Sequence, residues 1–257
     1  MRIGCVADNL SEAVQISQFG YAYLELKGHL LLGSDTQFAD FSKQIEGLPI
    51  HPEVITSPLP RPLGLKIVGP NADQEQALRV MEQLIPRAVA LGVQVMVFGC
   101  GQARFVEAGF PLSNAHQQLE LFLRRLADLC QRYPLLVAIE TLNRSETNLL
   151  NSTLETRGVV QNLNCPEIRM LIDYHHILAE ELPLDGELLG VHGYLIHAHT
   201  ADPGRKYPGS SPHAQKAFLN GLRQLGYNDR LSVECEFSDF TREAHLALAS
   251  LQLALHD

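Results

Sequence analysis

Short apolar runs alternate along the chain with longer segments in which apolar positions recur every three or four residues. The short runs are Ile3–Val6, Tyr21–Leu26, Leu48–Thr56, Gln94–Phe98, Leu135–Ile139, Ile168–Ile172, Tyr194–Ala198 and Leu231–Val233. Several are apolar throughout, the pattern of strands buried on both faces of a parallel sheet. Between them, Asp73–Leu91 sets Ala77, Leu78, Met81, Leu84, Ile85, Ala88 and Leu91 on one helix face. Ser113–Arg132 does the same with Leu119, Phe122, Leu123, Leu126 and Leu129. Asn71 or Asp73 is placed to cap the first helix and Ser113 the second. Thr241–Leu255 reads as a last helix, and shorter ones are expected over Glu12–Phe19 and directly after Asp173.

Strands alternating with helices imply βαβ units and a parallel sheet. Eight such units in 257 residues match a (β/α)8 barrel, which typically needs roughly 250. No G-x-G-x-x-G follows the first run, which argues against a dinucleotide-binding doubly wound sheet. The expected architecture is a single TIM-barrel domain over residues 1–257. Ser57-Pro-Leu-Pro-Arg-Pro-Leu63 reads as a stiff loop within it rather than a boundary.

Composition narrows the partners. The hydrophobic fraction of 46% supplies a large core without staples. A net charge of -9 repels phosphate backbones and anionic bilayers, so neither nucleic acid nor membrane is expected as a partner. The five cysteines, Cys5, Cys100, Cys130, Cys165 and Cys235, are scattered with no C-x-x-C pair, which fits a reducing cytosol. Met1-Arg2 leads straight into a strand-like run, and no stretch reaches the roughly 18 apolar residues of a membrane helix. A cytoplasmic location is therefore expected.

In a parallel barrel the active site lies where the strands end. Four consecutive strands end in ligand-type residues: Val137-Ala-Ile139 in Glu140, Arg169-Met-Leu-Ile172 in Asp173, Tyr194-Leu-Ile-His-Ala198 in His199, and Leu231-Ser-Val233 in Glu234. Each alone has an ordinary reading, a helix cap or ion pair for a carboxylate and a satisfied core histidine for His199 or His197. Together they converge on one mouth, where clustered carboxylates repel unless a cation sits among them. Oxygen-rich ligands with one imidazole suit one divalent ion: Mn2+, Mg2+, Co2+ or Zn2+. Weaker candidates are Arg104 beyond the Phe98-Gly-Cys-Gly101 turn, as an anchor for an anionic group or a solvated side chain; Glu25, for substrate or a structural partner; and His213 after the Pro208-Gly209 turn.

The segment Glu140-Thr-Leu-Asn-Arg-Ser-Glu146 resembles a signature of the xylose-isomerase-like sugar isomerase/epimerase superfamily, closest to its D-tagatose/D-psicose 3-epimerase and hydroxypyruvate isomerase branches. Asp173-Tyr-His-His176, His199-Thr-Ala-Asp-Pro-Gly-Arg205 and Ser232-Val-Glu234 near Gly226-Tyr227 continue the likeness, as does Gly20-Tyr21 leading to Glu25. The resemblance implies that Glu140, Asp173, His199 and Glu234 bind the metal. It further implies that Glu140 and Glu234 carry the proton chemistry from opposite faces of the substrate, and that Glu146, His176 and Arg205 bind substrate. Tyr174 stands where the family often has threonine. His176 fits the spacing better than His175, which reads as structural, and Glu234 fits better than Glu236.

The implied activity is isomerisation or epimerisation of a small sugar, sugar phosphate or hydroxy-keto compound, through proton removal next to a carbonyl and a metal-stabilised enediolate. A homodimer or homotetramer is implied as well. Rival readings are a lyase of the inosose dehydratase type on the same barrel, a barrel that binds without turnover, and an abasic-site endonuclease. The last needs added histidines on strands three and four, where this chain has Thr56 or Ser57 and Phe98-Gly99.

Overall fold

The period-two strands close on themselves. The structure, a computed structural model, describes residues 1–211 and 214–256. Eight parallel strands, β1 (Arg2–Ala7), β2 (Tyr23–Lys27), β3 (Pro52–Thr56), β4 (Val95–Phe98), β5 (Leu136–Glu140), β6 (Ile168–Asp173), β7 (Leu195–Thr200) and β8 (Arg230–Val233), form a closed barrel in sequence order. The helices among the described residues are α1 (Leu10–Phe19), α2 (Asp35–Glu46), α3 (Gln74–Ala90), α4 (Leu112–Cys130), α5 (Thr153–Leu163), α6 (Tyr174–Ala179), α7 (Leu184–Val191), α8 (Ala214–Gln224) and α9 (Phe240–His256). The expected barrel is the observed one. No helix among the described residues is long and apolar enough to cross a membrane.

Two details differ from expectation. Leu48–Thr56 shortens to Pro52–Thr56, because the residues before Pro52 form the turn out of α2. Ser113 does not cap α4, which starts one residue earlier after Pro111 with no side-chain cap. Asp73 does cap α3, accepting from the Gln76 N–H.

Alternation along each strand sorts the core into two shells. Ile3, Cys5, Met96, Phe98, Val137, Ile139, Met170, Ile172, Leu231 and Val233 point outward into the layer shared with the helices. Tyr23, Val54, Val95, Val97, Ala138 and Leu171 point inward and fill the barrel. At the closed end, Glu53 joins Arg2 (2.5 Å) and Arg230 (2.7 Å), while Arg230 also donates to Gln94 (2.5 Å). The inward parity carried on to the open end falls on Gly99, Glu140, Asp173, His199 and Glu234. The same rule that packs the core thus aims these positions into the mouth.

Candidate active site

The mouth is a cavity of about 950 Å³ lined by Thr56, Gly99, Glu140 and Glu234 among others. Glu140 and Glu234 line it, Asp173 and His199 are buried, and one ligand atom from each of the four lies within 4.8 Å of all the others. His199 Nδ1 is 3.3 Å from both Glu140 Oε1 and Glu234 Oε2. Asp173 caps α6 through Oδ1, which accepts the His175 N–H at 2.8 Å. Its other oxygen, Oδ2, is buried and has no hydrogen-bond partner among the described residues. Three carboxylates and an imidazole in this packing, with a buried oxygen left over, have the donor chemistry of a divalent-cation site. The four residues fit one.

Glu25 lies in the middle of β2 rather than at its end and does not line the cavity. It is wholly buried, and its two oxygens lie 2.9 Å from His197 Nε2 and 2.9 Å from His199 Nε2. A carboxylate there requires protons on both Nε2 atoms, so the proton that His199 gives up on becoming neutral is the one on Nδ1, the nitrogen facing the cluster. This is the arrangement by which an outer carboxylate orients an imidazole toward a metal. Burial would raise the Glu25 carboxyl, but His199 and His197 outweigh it and hold it down at about 2. Burial likewise disfavours a charged His199, and Glu25 and Glu234 overturn that, raising it well above an ordinary histidine.

His176 is fixed by a similar argument. Its Nδ1 lies 3.2 Å from the Asn143 backbone N–H and 2.9 Å from the Asn143 amide. A backbone N–H only donates, so Nδ1 accepts and the neutral ring carries its proton on Nε2. That Nε2–H sits 3.4 Å from Asp173 Oδ2 and 3.9 Å from Glu140 Oε1, without a close partner of its own. Burial holds the ring neutral, well below the ordinary histidine range. His176 is thus a donor at the edge of the cluster, not a spare metal ligand.

Arg205 closes the other side. Its guanidinium donates to Glu146 Oε1 at 2.7 Å and to Glu234 Oε2 at 2.8 Å. It holds a left-handed backbone, φ 57°, unusual for a side chain other than glycine. Asp202 steadies that loop, accepting the N–H groups of Gly209 (3.1 Å) and Ser211 (2.6 Å) and the Gln215 amide (2.7 Å).

One sequence reading is corrected. Arg104 neither reaches the cavity nor meets solvent. It is fully buried and donates through Nη2 to the Glu140 backbone carbonyl at 2.7 Å, propping the end of β5. His175 lines the cavity beside Glu146 and Arg205. Of the two readings of Glu25, the structural partner is the observed one, through His197 and His199. Glu236 also lines the cavity, but its carboxylate stands outside the four-residue cluster. His213 lies outside the described residues. Asn143 was missed. A Cβ on Gly99 would stand 2.3 Å from Glu140 Oε2, so a side chain there would push that carboxylate aside.

Comparison with known proteins agrees with this fold. A family model described as xylose isomerase-like TIM barrel matches residues 14–253. A ketose 3-epimerase of Arthrobacter globiformis is 28% identical over 104 residues, 40% of this chain. The match spans 36% of that relative's length. A D-psicose 3-epimerase solved in the presence of D-fructose superposes with TM-score 0.85 at 17% identity, covering 100% of both chains. The IOLI protein with a binding zinc atom gives TM-score 0.76 at 16% identity, covering 99% of this chain and 96% of that one. At those identities the two structures speak to the fold.

Proposed function

The chain belongs to the xylose isomerase-like TIM barrel family, and from that premise we propose that it is a divalent-metal-dependent epimerase or isomerase of ketoses, with Glu140 and Glu234 as its acid–base pair. The observation that carries the reading is the convergence of Glu140, Asp173, His199 and Glu234 within 4.8 Å beside an open cavity. The relative named a ketose 3-epimerase supports the substrate class.

These four residues would hold the cation, which when bound supplies positive charge beside the substrate's carbonyl and hydroxyl oxygens. The chain's own groups do the rest. Glu140 and Glu234 come from strands three places apart around the barrel, so they approach the site from different sides. Burial, reinforced by Glu234 against the His199 hydrogen bond, raises the Glu140 carboxyl. Burial would raise Glu234 too, but His199 and Arg205 hold it well below the usual range. Environments that push two carboxyls apart divide them into a base and an acid. Glu234 takes the proton from the carbon next to the carbonyl, and Glu140 returns one from the other side. The Nε2–H of His176 and the Arg205–Glu146 pair hydrogen-bond the sugar oxygens and hold the reacting carbon within proton-transfer reach.

An abasic-site endonuclease reading finds no support: the ends of β3 and β4, Thr56 and Gly99, bring no imidazole to the site. The test combines metal analysis with exchange of deuterium from solvent into the carbon next to the carbonyl of D-fructose and D-psicose. About one divalent ion per chain and measurable exchange are expected, with interconversion of the two ketoses falling on the order of 10²- to 10⁴-fold in Glu140→Gln and in Glu234→Gln, and exchange kept at most in the epimer whose proton faces the remaining base. Full epimerisation in either variant removes the two-base scheme. A chain that takes up no Mn2+, Co2+ or Zn2+ removes the metal.

A further inference from the structure

Beside the reaction cavity lies a second chamber of about 330 Å³. The two share Leu59, Pro60, Arg61, Gln102, Ala103 and Glu146 as a common wall. Beyond that wall the chamber adds Lys66 and Phe105, so it is built by the loops that follow β3, β4 and β5. Neither the metal cluster nor the acid–base pair uses it.

Its charge is opposite to that of the molecule. The chain as a whole carries -9, yet the charged residues lining this chamber are Arg61, Lys66 and Glu146. Glu146 is already engaged by Arg205 at 2.7 Å, and Arg61 reaches it only at 3.4 Å. Lys66 has no carboxylate partner among the described residues. Its ammonium is nevertheless held in place: it donates to the Gln102 carbonyl at 2.9 Å and stands 5.7 Å from the centre of the Phe105 ring. An ammonium fixed by a carbonyl and an aromatic face keeps its charge uncompensated and its remaining N–H groups free. Phe105, at 40% exposed, is one of the exposed large apolar side chains of the protein. A cation without a partner beside an uncovered ring, at the side of a reaction cavity, is the arrangement of a subsite waiting for an anionic group.

We propose that the chamber lined by Arg61, Lys66 and Phe105 binds a phosphate or carboxylate at the far end of the substrate from the reacting carbon, so that the preferred ketose is an anionic one. The proposal rests on the ketose reading above and narrows it. Arg61 supplies a planar guanidinium and Lys66 a point charge, and an oxyanion bridging them replaces the loose Arg61–Glu146 contact. Each charge-assisted hydrogen bond of this kind changes affinity by roughly one to two orders of magnitude. Because the group lies away from the reacting carbon, its effect falls on substrate binding rather than on the chemical step.

The experiment uses the metal-loaded protein and three ketoses that differ at one end: D-fructose, D-fructose 6-phosphate and D-fructuronate, whose terminal carbon is a carboxylate. Epimerisation kinetics are measured for the parent and for Arg61→Ala/Lys66→Ala, and binding of the same compounds is titrated calorimetrically. The expected result is a kcat/KM at least tenfold higher for one of the anionic ketoses than for D-fructose, expressed mainly in KM. The double substitution is expected to reduce that ratio to near one. Which anionic ketose is preferred identifies phosphate or carboxylate. Equal or better use of D-fructose by the parent overturns the proposal, and so does a preference that survives the double substitution. If no ketose is turned over, the acid–base reading has failed by itself, and the titration still decides the subsite. Tighter binding of an anionic ketose that is lost in the double variant supports it; equal binding by both proteins overturns it.

Discussion

Gly99→Ala tests the placement of Glu140 most directly. Gly99 follows β4 at an inward position, and an added Cβ would lie 2.3 Å from Glu140 Oε2 and 3.5 Å from Cδ. Ordinary carbon–oxygen contacts begin near ~3.3 Å, so one partner must move by about 1 Å. β4 cannot retreat alone, because it is bonded to β5 with Phe98 opposite Ile139. The end of a flexible side chain yields first, so stability falls by at most about 1–3 kcal/mol. Function falls further, since a misplacement of about 1 Å in a reacting group costs on the order of 10²-fold, or about 2.7 kcal/mol of barrier. The assay is solvent-deuterium exchange into D-psicose, with metal affinity measured by competition and thermal denaturation as the check on folding. Gly158→Ala is the control: nothing lies within 4 Å of its added Cβ, and it sits inside α5. It should leave exchange unchanged and stabilise the protein by roughly 0.5–1 kcal/mol. A folded Gly99→Ala protein whose exchange rate and metal affinity both stay within twofold of the parent would refute the assignment of Glu140 to the cluster.

Glu25→Gln offers one acceptor oxygen where two imidazole N–H groups each need one, so divalent-ion affinity should fall roughly 10- to 100-fold; an unchanged dissociation constant would remove Glu25 from the site's support. Burial, reinforced by the neighbouring Glu140, raises the Asp173 carboxyl from 3.8 to about 7. Cation binding at pH 6–7 should therefore release a proton, visible as a buffer-dependent calorimetric enthalpy, and equal heats in buffers of different ionisation enthalpy would contradict it. The same shift carries a stability sign. The folded state binds this proton more tightly than the unfolded chain, so the chelator-treated protein should lose stability as pH rises from about 4 to 7, and saturation with cation should abolish that slope in Tm. Arg205→Lys replaces a fork that spans Glu146 and Glu234 with a point charge. KM for a ketose should rise about tenfold or more, and kinetics like those of the parent would argue against a bridging role.

Strand count and the convergence of four polar residues were legible in the sequence for one physical reason. In a closed parallel barrel the mouth is reached at the last inward residue of each strand, so Glu140, Asp173, His199 and Glu234 stand directly beside the apolar runs that announce those strands. Several helices carried a weaker signal. α5 interrupts a short apolar face with Gly158, and α7 is apolar around most of its circumference, so neither shows a clear helical stripe. α4 lost its expected cap because the helix begins at Leu112, which leaves Ser113 inside its first turn. The chemistry that stayed hidden is long-range. Glu25 meets His197 and His199 across 172 and 174 residues of chain, a pairing that exists only once β2 and β7 share one barrel interior. Arg104 had equal claims as anchor and as solvated side chain until closure put it beneath the Glu140 carbonyl. Gly99 shows the same limit from the other side. Its meaning is the absence of a side chain at an inward position, and the carboxylate that takes the space comes from the next strand. Parity could have found it, because counting two residues on from Val97 lands on the mouth, where the neighbouring strand presents Glu140. A glycine at a position whose neighbour carries a ligand-type carboxylate is therefore itself a site signal, once the strands have been put in order.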